Sequence, residues 1–348
     1  MSRKGTVLIH AGLKKCGSSS IHAFLGANRK ILKKANICYP GPGRPGTRIA
    51  NEIRHRKGTR GRLNALAKLA EFRATHPEAM TVISSEMFEP AEECEVELIR
   101  QHLATDSADI IVLFVIRDLV ELVPSIYAQK VKTGSNILPF DEFFEVVLSD
   151  KRVDYFDTVS KWANVFGWEH IIVRVLDPAQ LVNSDLLDDI LSVLGVDPSD
   201  AKGWPLERPG VSNSSSGWQV LEAMRALRSG GHGLPDTHPL TGMIQVERKM
   251  RRLGAKSIAI GQRFGWNSDR GRYLTAVQAE RCLDLYTATV LALNAKLPAK
   301  LALPRDLAAR GFQEREFAPD VSHIPRERLE MFYNALCGGF VEKNSTSA

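Results

Sequence analysis

The chain has 348 residues, 44% of them hydrophobic and 25% charged, the balance of a globular protein with room for one large α/β domain or two small ones. A net charge of +6, from 46 Lys and Arg against 40 Asp and Glu, is too small an excess to imply a nucleic-acid partner. No apolar run reaches the length that spans a bilayer, so no transmembrane segment is expected, and no secretory leader is read. The five cysteines (Cys16, Cys38, Cys94, Cys282 and Cys337) are widely spaced with no C-x-x-C pair. They point to neither a zinc site nor a disulfide framework, and the expectation is a cytoplasmic chain with reduced thiols and no metal.

In chain order, Thr6 to His10 reads as a short buried strand. A loop with Gly12, Lys14, Lys15 and Gly17 follows, then Ser18, Ser19 and Ser20, then the apolar-periodic run Ile21, Phe24, Leu25 of a helix. Gly26 to Lys34 is basic and amphipathic. Cys38 to Gly46 is punctuated by Pro and Gly and reads as a loop without regular structure. Arg62 to Arg73 is helical by its leucine spacing, Thr81 to Glu86 is a strand, and Pro90 to Leu103 is a helix whose acids crowd its first turns. Asp109 to Ile116 is rich in β-branched residues without alternation, as a strand covered on both faces should be. Helices follow over Leu119 to Thr133 (interrupted by Pro124), Phe140 to Leu148 and Phe156 to Phe166, then a strand over His170 to Val175 and a helix over Leu186 to Leu194. The alternation implies α/β architecture, a central parallel sheet flanked by helices.

Beyond Pro198 strand signals fade. Helices are expected over Trp218 to Leu227 and Leu274 to Leu293, with the basic cluster Arg248 to Arg252 at the end of another. The expected organisation is a core over residues 1–230 and a helical subdomain over 231–348, disordered from about Glu342. Between Gly41 and Arg73 nine Lys and Arg stand against two acids, Glu52 and Glu71, so this segment alone accounts for the net charge. It reads either as a solvated face or as a surface for an anionic ligand.

Two stretches carry chemistry. The first is the opening strand, glycine-bearing loop and helix N-terminus. That combination is an anion site: backbone N–H groups point outward and the helix dipole favours negative charge. It departs from the standard nucleotide loop, in which Lys follows the second Gly; here the lysines precede Gly17. The second is Phe114 to Tyr127. Arg117 ends the most buried strand, where parallel sheets bind ligands, and Ser125 lies eight residues on. An Arg fork and a Ser hydroxyl can grip a phosphate together. Singly, Arg117 is also an ordinary strand-end ion pair and Ser125 an ordinary helix serine.

Lys15-Cys-Gly-Ser-Ser-Ser20 resembles the 5′-phosphosulfate loop of sulfotransferases, and Arg117, Ser125 and Tyr127 resemble their 3′-phosphate motif. Weaker likenesses are Ile83-Ser-Ser-Glu86, Phe166 to Arg174 and Arg208 to Ser215, the last carrying Asn213. The resemblance covers roughly residues 5 to 230. It implies the sulfotransferase relative of the P-loop fold and a donor, 3′-phosphoadenosine 5′-phosphosulfate. It implies a donor site of Lys15, Cys16, Gly17, Ser18, Ser19, Ser20, Arg117, Ser125, Tyr127 and Asn213. Cys16 stands where the family has Thr, which removes a hydroxyl donor and either weakens donor binding or leaves the loop sensitive to oxidation; Pro124 puts the placement of the Ser125 hydroxyl in question.

Sulfuryl transfer depends on positioning and charge stabilisation. The resemblance makes Lys15 the group that stabilises the bridging oxygen and Glu86 the base that deprotonates the acceptor, with His22 the runner-up base and no metal required. His10 reads as a buried, hydrogen-bonded histidine. The expected acceptor is a small molecule or a glycan, a carbohydrate or glycoconjugate above all; oligomeric state is not legible. Two other readings stay open: a P-loop kinase or NTPase, and a catalytically inactive binder of nucleotides or anionic glycans.

Overall fold

A computed structural model of the protein describes residues 5–41, 45–54, 63–103, 110–149, 153–208, 216–230, 234, 238, 240, 247–269, 271–299, 303, 314–316 and 318–344. At its centre lies a five-stranded parallel sheet in the order β2-β3-β1-β4-β5. The strands are β1 Val7–Gly12, β2 Ile37–Cys38, β3 Met80–Ser84, β4 Ile110–Ile116 and β5 Ile171–Val175. The helices are α1 Ser18–Ala27, α2 Arg29–Lys34, α3 Pro45–Arg54, α4 Asn64–Thr75, α5 Glu93–Leu103, α6 Leu119–Thr133, α7 Phe140–Leu148, α8 Tyr155–Phe166, α9 Leu186–Val193, α10 Trp218–Ser229, α11 Glu247–Arg263, α12 Ala276–Asn294 and α13 Arg326–Asn344. The protein is α/β.

Every β1 side chain is buried and six of the seven in β4 are, each large aliphatic one contributing about 1.5–3 kcal/mol on leaving water. Side chains alternate between faces. Leu113 is the register partner of His10 and Val115 that of Arg174, so these four share a face. That face carries α1, whose His22 ring lies 6.3 Å from His10, and α9, whose buried Asp189 takes a two-pronged ion pair from Arg174. Phe114 turns the other way and meets Trp162 of α8, centroids 6.1 Å apart. Lys161 and Asn164 of α8 in turn bond Glu92 and Glu93 at the start of α5. Helices therefore cover both faces, which is why β4 lacks alternation.

Three expectations on local structure are corrected. Residues 45 and 46 open α3 instead of extending a loop, since Pro is well suited to a first helical turn, where its missing N–H costs nothing. The cluster Arg248 to Arg252 lies in the opening turns of α11, not at its end. The last helix runs on through Glu342 to Asn344.

The chain forms two compact units. One comprises Met1–Leu119, Asp150–Ser212 and Leu283–Ala308; the other comprises Val120–Ser149, Asn213–Cys282 and Ala309–Ala348. They interleave along the sequence rather than meeting at residue 230. The second unit has its own core, in which the rings of Phe140, Phe143 and Tyr273 surround Tyr127, each 5.2 Å from it.

Candidate active site

The first unit brings the carboxyl ends of β1, β3 and β4 side by side, with β1 flanked by the strand from each side of the sheet. Ligands of open parallel sheets bind in the crevice at such a switch point. The loop after β1 fills this place. Lys15 holds φ +63° and Gly17 holds φ +83°. A left-handed lysine is held against a cost of about 1–2 kcal/mol, a conformation that persists at ligand clamps because neighbours enforce it. At Gly17 a Cβ would also stand 2.4 Å from Leu186 Cδ2 of α9. Gly17 caps α1, and its carbonyl accepts from the N–H groups of Ser20 and Ile21 at 3.0 and 3.1 Å. The N–H groups of the helix's opening residues, Ser18 and Ser19, have no place in the i→i−4 ladder. The Ser18 side chain is buried, that of Ser19 exposed and that of Ser20 half-buried.

Several contacts fix the loop. The Lys14 N–H donates to Glu89 Oε2 at 2.7 Å, and its ammonium stands 4.0 Å from Glu89 Oε1. Leu13 N–H donates to the Val115 carbonyl at 3.0 Å, and Arg117 Nη1 reaches the Lys15 carbonyl at 3.5 Å. The Arg117 carbonyl accepts from the Tyr155 hydroxyl at 2.7 Å. Residues 102 positions apart thus converge: the lysine of the loop and the arginine that ends β4. Cys16 is fully buried, with its Sγ donating to the Lys14 carbonyl at 3.4 Å. Burial, reinforced by the Glu89 charge, pushes its thiol far above the ordinary range. That corrects the expected sensitivity to oxidation, because the reactive thiolate is suppressed.

Glu86 opens a 3₁₀ turn, Glu86–Phe88, directly after β3. Ser85 caps that turn, accepting from the Met87 N–H at 3.1 Å, while its own N–H donates to the His10 carbonyl at 3.0 Å. Glu86 Oε2 lies 3.7 Å from His22 Nδ1. The Glu86 side chain is 25% exposed and that of His22 3%, so the glutamate is partly open to solvent while the imidazole is buried. Farther in, His10 Nδ1 is 2.6 Å from Ser84 Oγ. Burial, then the nearby His22 charge, pulls His10 down to about 3, and His10 is the buried, hydrogen-bonded histidine expected. On the other side α3 presses against the end of β3. A Cβ on Gly46 would stand 2.6 Å from the Ser84 carbonyl oxygen, and Thr47 Oγ1 is 3.0 Å from Ser85 Oγ.

Downstream, buried Asn28 at the end of α1 ties down the segment before Arg208, donating to the Glu207 carbonyl and accepting its N–H, both at 2.8 Å. Arg208 pairs with Asp185 at 3.1 Å and with Asp188 at the start of α9.

Of the site residues expected from sequence, Lys15, Cys16, Gly17, Ser18, Ser19, Ser20, His22, Glu86 and Arg117 all belong to the first unit. Ser125 is half-buried on α6 in the second unit, and α6 continues through Pro124 without ending. Tyr127 is different. Its side chain is fully buried and its hydroxyl donates to Glu222 Oε1 at 2.7 Å, so the donor-binding role implied by resemblance has no exposed group to perform it. Asn213 lies outside the described residues. Sequence reasoning missed Glu89, and it quoted Ser84 only as part of the Ile83 to Glu86 stretch, without a role of its own. The signal for Glu89 was its spacing, three residues beyond Glu86; none marked Ser84 apart from its place at a strand end.

Among the described residues no group of three or more His, Cys, Asp or Glu could hold a metal, and no helix is long and apolar enough to cross a membrane. No family model and no curated protein matches the chain. Among solved structures, it is similar to a sulfotransferase from Alicyclobacillus acidocaldarius at 18% identity, over 72% of this chain and 100% of that one, with a TM-score of 0.36.

Proposed function

We propose that the protein is a sulfotransferase that moves a sulfuryl group from 3′-phosphoadenosine 5′-phosphosulfate to a hydroxyl or amine of a carbohydrate or glycoconjugate. The convergence of Lys15 and Arg117 carries this reading. It joins the two motifs that resemble the phosphosulfate and 3′-phosphate grips, and Glu86 stands at the end of the neighbouring strand.

In this reading the N–H groups of Gly17, Ser18 and Ser19 hold the 5′-phosphate at the α1 N-terminus, where the helix dipole favours it. The Ser18 and Ser19 hydroxyls assist. Lys15 stabilises the charge that grows on the oxygen bridging sulfur and phosphorus. Arg117 takes the 3′-phosphate. Glu86 removes the proton of the attacking group. The basic segment from Gly41 to Arg73 supports an anionic or sugar acceptor. The free thiols of all five cysteines support a reducing compartment, the cytoplasm.

The test is binding followed by turnover. Adenosine 3′,5′-bisphosphate should raise the melting temperature where ATP with Mg²⁺ does not, and labelled donor should pass its sulfuryl group to a member of a glycan panel. Lys15→Ala should lower kcat by about 100-fold or more, and Arg117→Ala should weaken donor binding by about 1.5–3 kcal/mol. Stabilisation by ATP with Mg²⁺ alone would overturn the proposal.

A further inference from the structure

Glu86 and His22 face each other with an unusual spacing. Glu86 Oε2 is a buried atom without a hydrogen bond, and it stands 3.7 Å from His22 Nδ1. That is too long for a hydrogen bond and short enough for a strong charge interaction. A proton placed between them would convert the contact into a charge-assisted hydrogen bond.

We propose that Glu86 and His22 act together as the proton acceptor, with Glu86 touching the acceptor substrate and His22 as the positioning residue that draws the proton inward; this rests on the sulfotransferase reading above. As the acceptor oxygen bonds to sulfur, its O–H bond breaks and the proton moves to the Glu86 carboxylate. The bond from sulfur to the bridging oxygen breaks, and its electron pair leaves with the adenosine 3′,5′-bisphosphate. The proton is then held between Oε2 and Nδ1, giving an imidazolium beside a carboxylate, and passes to solvent from the exposed edge of Glu86. The two bases are therefore one unit, and their titration belongs to the pair.

The surroundings favour this division of labour. His10, on β1, has its ring 6.3 Å from that of His22, and its Nδ1 is occupied by Ser84. It stays neutral down to about pH 3, so it neither competes for the proton nor repels the His22 cation. Glu89, beyond the 3₁₀ turn, is engaged by Lys14. On α9, which packs on the loop through Leu186, Asp185 and Asp188 are engaged by Arg208 and Asp189 by Arg174. Glu86 lies in ion-pair range of His22.

Two measurements decide it. In the whole protein, ¹⁵N-imidazole NMR should show the His22 titration midpoint falling by about one pH unit or more in Glu86→Gln, the effect of removing a carboxylate at that range. A midpoint that moves by less than about a third of that overturns the pair, whether or not transfer is ever detected. In turnover, His22→Gln should lower kcat about 10-fold or more and displace the acid limb of its pH profile, with donor Kd within about two-fold. An unchanged limb and kcat in a folded His22→Gln protein would also overturn it. If that variant does not fold, the NMR comparison stands alone, since Glu86 is partly exposed. Failure of donor binding in the wild type would remove the sulfotransferase reading and leave the NMR result to judge the pair.

Discussion

The buried carboxylate of Glu89 accepts the backbone N–H of Lys14 at 2.7 Å, so an acid 75 residues away sets the path of the glycine-bearing loop. Hydrogen bonds to charged groups contribute about 1.5–3 kcal/mol. Glu89→Ala should cost that much in unfolding free energy and weaken donor binding as the loop relaxes. Glu89→Gln keeps an acceptor oxygen and should recover most of both. Calorimetry with denaturant unfolding of the two variants checks this, and equal losses would show that packing rather than the bond matters.

Lys15 carries its side chain on a left-handed backbone. Glycine adopts that conformation without the steric cost. Lys15→Gly should therefore be more stable than Lys15→Ala by about 1 kcal/mol, while both lose turnover alike. The pair of variants separates the strain of the loop from the charge it presents. If Ala is the more stable, the positive φ is not a constraint in solution.

Tyr127 lies in the other unit, bonded to Glu222, which Arg225 also engages at 2.6 Å and which links onward to Asp320 through Arg225 at 3.0 Å. Burial pushes the Glu222 carboxyl up against the opposing pull of Arg225. Tyr127→Phe should cost about 1–3 kcal/mol of stability, the penalty of leaving a buried acceptor short of a donor, with donor affinity unchanged. A large loss of affinity at full stability would restore the role that the motif implies.

His10 is depressed to about 3 by burial and by His22. Above pH 6.5 it is neutral in the folded and unfolded chains alike and adds no pH dependence. Below that, the unfolded ring binds a proton that the folded one refuses, so stability falls as pH drops and levels off near 3. The loss should reach roughly 2 kcal/mol by pH 5. His10→Gln should flatten this limb, read as the slope of unfolding free energy against pH; identical slopes would place the titration elsewhere.

The sheet was legible because its strands are continuous apolar runs bounded by turns, and β4 lacked the alternation of a half-exposed strand. The two-residue β2 carried no such pattern, and α3 was hidden by Pro45 and Gly46, which mark loops and helix starts equally. At the site, glycine and lysine spacing identified the loop, and Arg117 was placed by the end of its strand. Glu89, Ser84 and Tyr155 were given no role because each acts through the fold: their partners Lys14, His10 and Arg117 lie 75, 74 and 38 residues away. Tyr127 shows the converse. Spacing put it in a motif, but its ring is absorbed by Phe140, Phe143 and Tyr273.

The interleaving of the two units governs how the chain can be cut. A fragment ending at residue 230 would omit Leu283–Ala308 from the first unit, including Tyr286, whose buried ring meets that of Tyr155 edge-on with centroids 6.2 Å apart. Tyr155 is the residue whose hydroxyl supports Arg117. Truncation there would strip the end of β4 of its backing from more than a hundred residues downstream, and an insertion or fusion intended to spare the loop belongs at the chain ends instead.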